Sequence, residues 1–203
     1  GKKQASLKEK KKGSARLRSP QWRFSLMLAV IAGIIICFNS IISLRVPDII
    51  VDARMGTATT AGTVLSLMQL TGIVAGVGFA SLTHVFKKNL LMIMCFGFGL
   101  ALALIGLSGQ LWSLVLGTLL AGFTYSTGVT SIFYHLSEKI PTNLLNLATS
   151  LVLIGCNLGS AVSSFFIQLV TPLAPSNHLL FVLIGALMLL TGVFASQLLA
   201  RTK

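Results

Sequence analysis

The sequence predicts an all-α membrane protein, a bundle of six transmembrane helices, and two observations lead to this fold class. Only 10% of the 203 residues are charged and 54% are hydrophobic, with a mean hydropathy of +0.88. Soluble domains carry about 25% charged residues, so this chain has too few to cover a surface that faces water. The charged residues are also separated by long uncharged stretches, and a helix needs about 20 apolar residues to cross a bilayer.

Charges and turn signals divide the chain into six spans. Arg23 and Arg45 enclose 21 uncharged residues, which suffice for the first span. The run Ser108-Gly109-Gln110 and the proline-containing run 171–178 interrupt two longer stretches, because glycine and proline end helices. The predicted spans are 22–44, 58–83, 89–108, 111–134, 144–169 and 178–200. The domain organisation that follows is a basic disordered cytoplasmic segment at 1–21, a transmembrane domain at 22–200 and a cytoplasmic tail at 201–203.

Lysine and arginine residues are concentrated on one side of these spans. If the amino-terminal segment is cytoplasmic, 14 of the 16 basic residues lie inside, and only Arg45 and Arg54 lie outside. This is the positive-inside rule, and it predicts that both ends of the chain are cytoplasmic. The rule accounts for the net charge of +12 without nucleic acid, since the basic segment lacks the aromatic side chains on which bases stack. The lipid bilayer is therefore the expected partner.

Small residues recur at every fourth position on three of the spans. Residues four apart share one face of a helix, and small side chains let helix backbones approach closely in lipid. We expect close helix contacts at all three faces, and hence a compact bundle. The faces are Gly72, Gly76 and Ala80 on the second span, Gly117 and Ala121 on the fourth, and Gly155, Gly159 and Ser163 on the fifth.

Four polar side chains lie at membrane depth, namely Asn39, Gln69, Tyr125 and Asn157. A buried amide or phenol needs a hydrogen-bond partner, because an unpaired polar group in an apolar medium costs several kcal/mol. Two interpretations are open. The side chains hold helices together through inter-helix hydrogen bonds, or they line a polar cavity at the midplane that binds a substrate.

A small charge cluster follows the first span, in LRVPDIIVDARMG. Pro47 is predicted to break the helix between Arg45 and Asp48. These two residues are candidates for an extracellular gate, and the alternative is a solvated loop. No charged residue lies at the centre of a span, so the sequence indicates no intramembrane proton relay.

The motifs of enzymes and metal proteins do not occur here. Ser126 lies in a glycine-containing segment, but no histidine lies at its depth to activate it. The phosphate-binding pattern of ATPases is also missing. The cysteines and histidines do not show the spacing of metal ligands. We therefore expect no enzyme activity, no cofactor and no metal site.

The turn after the second span reads GFASLTHVFKKN. It resembles the motif G-x-x-x-D-[RK]-x-G-[RK]-[RK] of the major facilitator superfamily. Gly78 matches the first glycine, and Lys87 and Lys88 match the basic pair. The aspartate and the second glycine are missing, and the turn is one residue longer. The segment SEKIPTNLLNLATSLVLIGCNLGSAVSSFF also resembles the cytoplasmic turn and following helix of this family. With its six spans and leading basic segment, the chain resembles the carboxyl-terminal half of such a transporter.

This resemblance implies two inverted three-helix repeats, and the second spans of the two triplets, 63–79 and 149–165, match at five ungapped positions. It also implies a secondary active transporter that moves a small organic solute by alternating access. Spans one, two, four and five would line the cavity, and an amino-terminal six-helix half, in the same or a separate chain, would be the partner. The expected location is the plasma membrane, specifically a bacterial inner membrane. The alternative is a six-helix membrane subunit or channel outside this family.

Overall fold

The computed structural model describes residues 17–201, which form six α-helices and contain no β-strand. Residues 1–16, which make up most of the predicted disordered segment, and the tail residues 202–203 lie outside the described residues. One turn of 3-10 helix, Lys87–Asn89, joins the second helix to the third. The helices are α1 (Ser19–Asp52), α2 (Ala58–Phe86), α3 (Leu90–Gly106), α4 (Leu111–Lys139), α5 (Thr142–Val170) and α6 (Asn177–Arg201).

Five segments of the described residues are long and apolar enough to cross a membrane. Four of them are single helices, and the fifth, Ala58–Gly106, is a stretch of 49 residues that contains both α2 and α3. The two helices count as one segment because only the 3-10 turn separates them. The predicted fold class, an all-α membrane bundle, is confirmed.

The contacts of α4 show that α2 and α3 run in opposite directions. Met68 of α2 lies beside Gly122 of α4, and Gly72 of α2 lies beside Ser126 of α4. The residue numbers rise together, so α2 and α4 are parallel. Ile105 of α3 lies beside Gly117 of α4, and Gly97 of α3 lies beside Thr124 of α4. These numbers change in opposite senses, so α3 and α4 are antiparallel. The 3-10 turn, whose residues are Lys87, Lys88 and Asn89, therefore reverses the chain.

The helices form three layers. The central layer is α1 and α4, which pack on each other; α3 and α6 pack together on one side of it, and α2 and α5 flank its other side. In the contacts of α5 with α1, Gly155 lies at Ala29 and Gly159 lies at Gly33, so these helices are parallel, as α2 and α4 are. The second helix of each predicted three-helix repeat thus packs on the first helix of the other repeat, an arrangement consistent with two inverted repeats.

The first helix differs from its prediction at both ends. It begins at Ser19, three residues before the predicted boundary, with Pro20 in its first turn, a position where the missing N–H costs nothing. It ends at Asp52 and contains Pro47, so the prediction that Pro47 breaks the helix is wrong. Val46 and Ile50 are fully buried on either side of the proline, and this packing keeps the segment helical despite one lost backbone hydrogen bond.

The small-residue faces on α4 and α5 are contact faces, but the one predicted on α2 is not. Gly72 packs against Ser126, whereas a Cβ added at Gly76 would meet no atom within 4 Å. Gly76 and Ala80 are exposed. Helix α4 therefore contacts α2 at Gly72 but not at Gly76, because a spacing of four residues selects a helix face without fixing how far a partner helix follows that face.

Candidate functional site

A stripe of polar side chains runs along α5. Its members are exposed and follow one another at intervals of three or four residues. The one exception is a longer interval in which Leu153 takes the place of a polar residue. Spacing of this kind places them on one face of the helix. Sequence reasoning singled out only Asn157, although the 3.6-residue period of the others was visible in the sequence. The α5 polar stripe consists of Asn143, Asn146, Ser150, Asn157, Ser160, Ser164 and Gln168.

The same helix has two other faces. Gly155 and Gly159 press against the backbone of α1, and a third face is apolar yet exposed, with Ile154, Leu158 and Phe165 between 56% and 70% exposed. An apolar exposed face suits lipid. A long polar face does not, because hydrocarbon offers its hydrogen-bonding groups no partner. The α5 polar stripe is therefore suited to an aqueous cavity or to another protein.

A second, shorter stripe of polar side chains runs along α2. Thr59, Thr63, Ser66 and Gln69 are exposed and lie three or four residues apart on the amino-terminal half of the helix. Helices α2 and α5 flank the same side of the central layer and make little contact with each other. Gln69 is thus part of a polar surface on this side of the bundle, which is the side away from α3 and α6.

Asn39 and Tyr125 lie on the two central helices. Asn39 is half-buried, and its Oδ1 atom has no hydrogen-bond partner among the described residues. Next to it, the hydroxyl groups of Ser40 and Ser160 lie 3.4 Å apart and join α1 to the α5 polar stripe. Tyr125 is half-buried, and its ring centroid lies 6.4 Å from that of Phe98 in α3.

The four candidate residues do not hydrogen-bond to one another within residues 17–201. The Asn157 side chain is exposed and donates to the Leu153 carbonyl of its own helix at 3.0 Å. The Asn39 Oδ1 atom has no partner on a neighbouring helix within residues 17–201. The geometry therefore gives no inter-helix bond that would make these two amides structural.

The loop motif lies at the junction of α2 and α3. Gly78 is inside α2, and no atom lies within 4 Å of a Cβ built on it. Lys87 and Lys88 are exposed in the 3-10 turn. Lys87 has φ 48°, a conformation that glycine adopts easily and that other residues rarely adopt. The sequence lacks the second glycine of the motif, and a lysine accommodates the turn instead.

The gate candidates Arg45 and Asp48 form an ion pair on α1. The Arg45 guanidinium and the Asp48 carboxylate are 3.5 Å apart and are separated by one helical turn. Their side chains are 33% and 51% exposed, respectively. Because Pro47 does not end α1, the pair is held on a helix near its carboxyl end rather than in a loop.

The comparisons with known proteins agree with this architecture. A family model described as Major Facilitator Superfamily matches residues 20–203. None of the curated proteins compared with the chain matches it. The family match covers all six helices apart from the first residue of α1. The chain is a multi-pass membrane protein that belongs to the major facilitator superfamily, whose members are transporters rather than enzymes.

Proposed function

We propose that this chain is the carboxyl-terminal half of a secondary active transporter, which moves a small organic solute across the membrane by alternating access. An amino-terminal six-helix half, in the same or a separate chain, would cover the side on which α2 and α5 are exposed. Family membership supports the transport class. No catalytic step and no cofactor is part of the proposal.

The observation that carries the proposal is the pair of exposed faces on α5. Its apolar face suits the bilayer, and its polar stripe suits water or protein. A cavity between two halves satisfies both faces at once, since it places the stripe in the solute path while Leu158 and its neighbours stay in lipid. Asn39, Gln69, Tyr125 and Asn157 would contribute hydrogen bonds to the solute in this cavity.

The proposed topology places both ends in the cytoplasm of a plasma membrane, and specifically a bacterial inner membrane. The connections between the helices are short and the helices alternate in direction, so α1 begins and α6 ends on the same side of the bundle. The excess of lysine and arginine at that side supports the cytoplasmic assignment. Arg45 and Asp48 would then lie at the outer end of α1, where they would act as an extracellular gate.

Cysteine accessibility tests the cavity without knowledge of the solute. Asn157→Cys and Leu158→Cys place thiols on adjacent residues, one in the polar stripe and one on the apolar face, and both positions are exposed. In the complete protein in membranes, a water-soluble maleimide should label Asn157→Cys much faster than Leu158→Cys. Equal rates at the two positions would contradict a water-filled cavity beside the stripe.

The same variant separates a transporter from a channel. Under alternating access only one side of the membrane reaches the cavity at a time, so locking the protein in one state should protect Asn157→Cys from reagent added to the opposite side. A channel would leave the thiol reachable from both sides at once. That result would favour the alternative of a channel-forming protein.

A further inference from the structure

An apolar groove lies on the side of α5 that faces away from the polar stripe. It runs between α5 and α6, with α1 at its base, and has a volume of about 800 Å³. Helices α5 and α6 make little contact with each other, so the groove is open along its length. On α1 it extends from Leu26 to Phe38, which is about 18 Å along the helix axis. We call it the α5–α6 groove.

The groove is deep because its base consists of small residues. Ala29, Gly33, Gly155 and Gly159 bring the backbones of α1 and α5 together, and their missing side chains leave space above the contact. Larger side chains form the walls: Leu158 on α5 is 59% exposed, and Leu190 on α6 is 65% exposed. An elongated depression with high apolar walls is complementary in shape to an extended hydrocarbon chain.

The chemistry of the lining excludes a polar solute. Its side chains are aliphatic or aromatic, apart from Cys37 and Thr191. The Thr191 hydroxyl is already used, since it donates to the Leu187 carbonyl at 3.0 Å. Such a surface offers no hydrogen bond to water or to a sugar, whereas it matches an acyl chain.

Basic and interfacial side chains stand at one mouth of the groove. On α1, Arg23 is exposed and lies on the same face as Leu26 and Val30, which line the groove. On α6, the face of Leu190 and Phe194 continues to the exposed residue Arg201. Trp22 is 45% exposed at the start of α1, and tryptophan is typical of the membrane interface. Because α1 begins where α6 ends, both arginines lie at the same end of the groove.

We propose that the α5–α6 groove binds one anionic phospholipid, with an acyl chain along α1 and its phosphate at Arg23 and Arg201. The apolar lining supplies the binding surface for the chain, and the two guanidinium groups supply the complementary charge for the headgroup. The site lies outside the proposed solute cavity and does not depend on transport.

Lipid binding to the complete protein, measured by native mass spectrometry in detergent, tests the proposal. The probes are phosphatidylglycerol and phosphatidylcholine with identical acyl chains. The protein should retain phosphatidylglycerol more tightly, and Arg23→Ala with Arg201→Ala should remove most of this preference, about fivefold for each arginine. Arg54→Ala, an exposed arginine at the opposite end of α1, is the charge control and should leave the preference unchanged. An unaltered preference in the double variant would overturn the headgroup site.

A groove variant tests the acyl-chain site separately. Leu190→Trp fills the groove and should weaken retention of both lipids. Leu100→Trp, at an equally exposed position on α3 outside the groove, should not. Equal lipid retention in these two variants would overturn the groove as the binding site. Cross-linking of Leu190→Cys into a dimer in membranes would show that a second copy of the protein occupies the groove, which also contradicts the proposal.

Discussion

Gly33 of α1 and Gly155 of α5 lie so close that a Cβ atom added to Gly33 would be 2.9 Å from the Gly155 carbonyl oxygen. A Cβ added at Gly155 would in turn meet the backbone of Ala29, with its carbonyl carbon at 2.9 Å. Backbone atoms cannot move aside as a side-chain end can. These two glycines therefore fix the distance between α1 and α5, and through it the depth of the groove above them.

The first prediction compares Gly155 of α5 with Gly76 of α2. Gly155→Ala should destabilise the protein by about 1–3 kcal/mol, because overpacking a close contact forces the helices apart. Gly76→Ala is the control: the added Cβ meets no atom within 4 Å, and alanine is the better helix former. The thermal unfolding midpoint of the complete protein in detergent measures both changes. Similar midpoints for the two variants would contradict the contact assigned to Gly155.

The second prediction concerns the proposed solute cavity. Asn157→Ala and Tyr125→Phe should each lower transport by roughly two- to twelvefold below saturation, the effect of one lost hydrogen bond of about 0.5–1.5 kcal/mol. Folding should be little affected, since Asn157 bonds only within its own helix. The measurement is solute flux divided by the amount of folded protein in the membrane.

Tyr134→Phe is the matched control for Tyr125→Phe. The Tyr134 hydroxyl donates to Glu138 at 2.7 Å near the end of α4, away from the level of Tyr125, so normalised flux should stay unchanged. If normalised flux is also unchanged in Asn157→Ala and Tyr125→Phe, neither side chain belongs to the cavity. If flux falls only in proportion to folded protein, their role is structural.

The third prediction concerns the turn between α2 and α3. Lys87 has φ 48°, and holding a non-glycine residue in such a conformation costs about 1–3 kcal/mol. Lys87→Gly should therefore stabilise the protein by about 1 kcal/mol or more. Lys88→Gly removes the same charge from a residue without positive φ and should be destabilising. Unfolding midpoints measured for both variants at one salt concentration check the prediction, and a loss of stability in Lys87→Gly would contradict it.

The fourth prediction concerns membrane orientation. Gly109 is exposed in the connection between α3 and α4, and Ser137 is exposed near the carboxyl end of α4. A membrane-impermeant thiol reagent should label Gly109→Cys from outside the cell and Ser137→Cys only after the membrane is opened. The native Cys37, Cys95 and Cys156 are buried and should give little background. Labelling in the reverse order would mean that the ends of the chain are outside.

The sequence alone determined the membrane class, the approximate helices and the family resemblance. Each of these depends on local information: the length of apolar stretches, the glycine and proline residues that end them, and the sidedness of Lys87, Lys88 and the other basic residues. The match of the family model over residues 20–203 confirmed the resemblance. The α5 polar stripe could also be predicted from the sequence, because its polar residues recur at intervals of three or four.

The tertiary structure decided what depends on neighbouring helices. Pro47 stays inside α1 because Val46 and Ile50 are buried around it, and local preference cannot include that packing. Gly76 is open, whereas a Cβ added at Gly97, which was not among the predicted contact faces, would lie 2.9 Å from the Thr124 side chain. The positions of the neighbouring helices decide which glycines meet a partner, and no repeat within a single helix encodes those positions. For the same physical reason, only the assembled bundle shows that α5 has its polar stripe on one side and an apolar groove on the other.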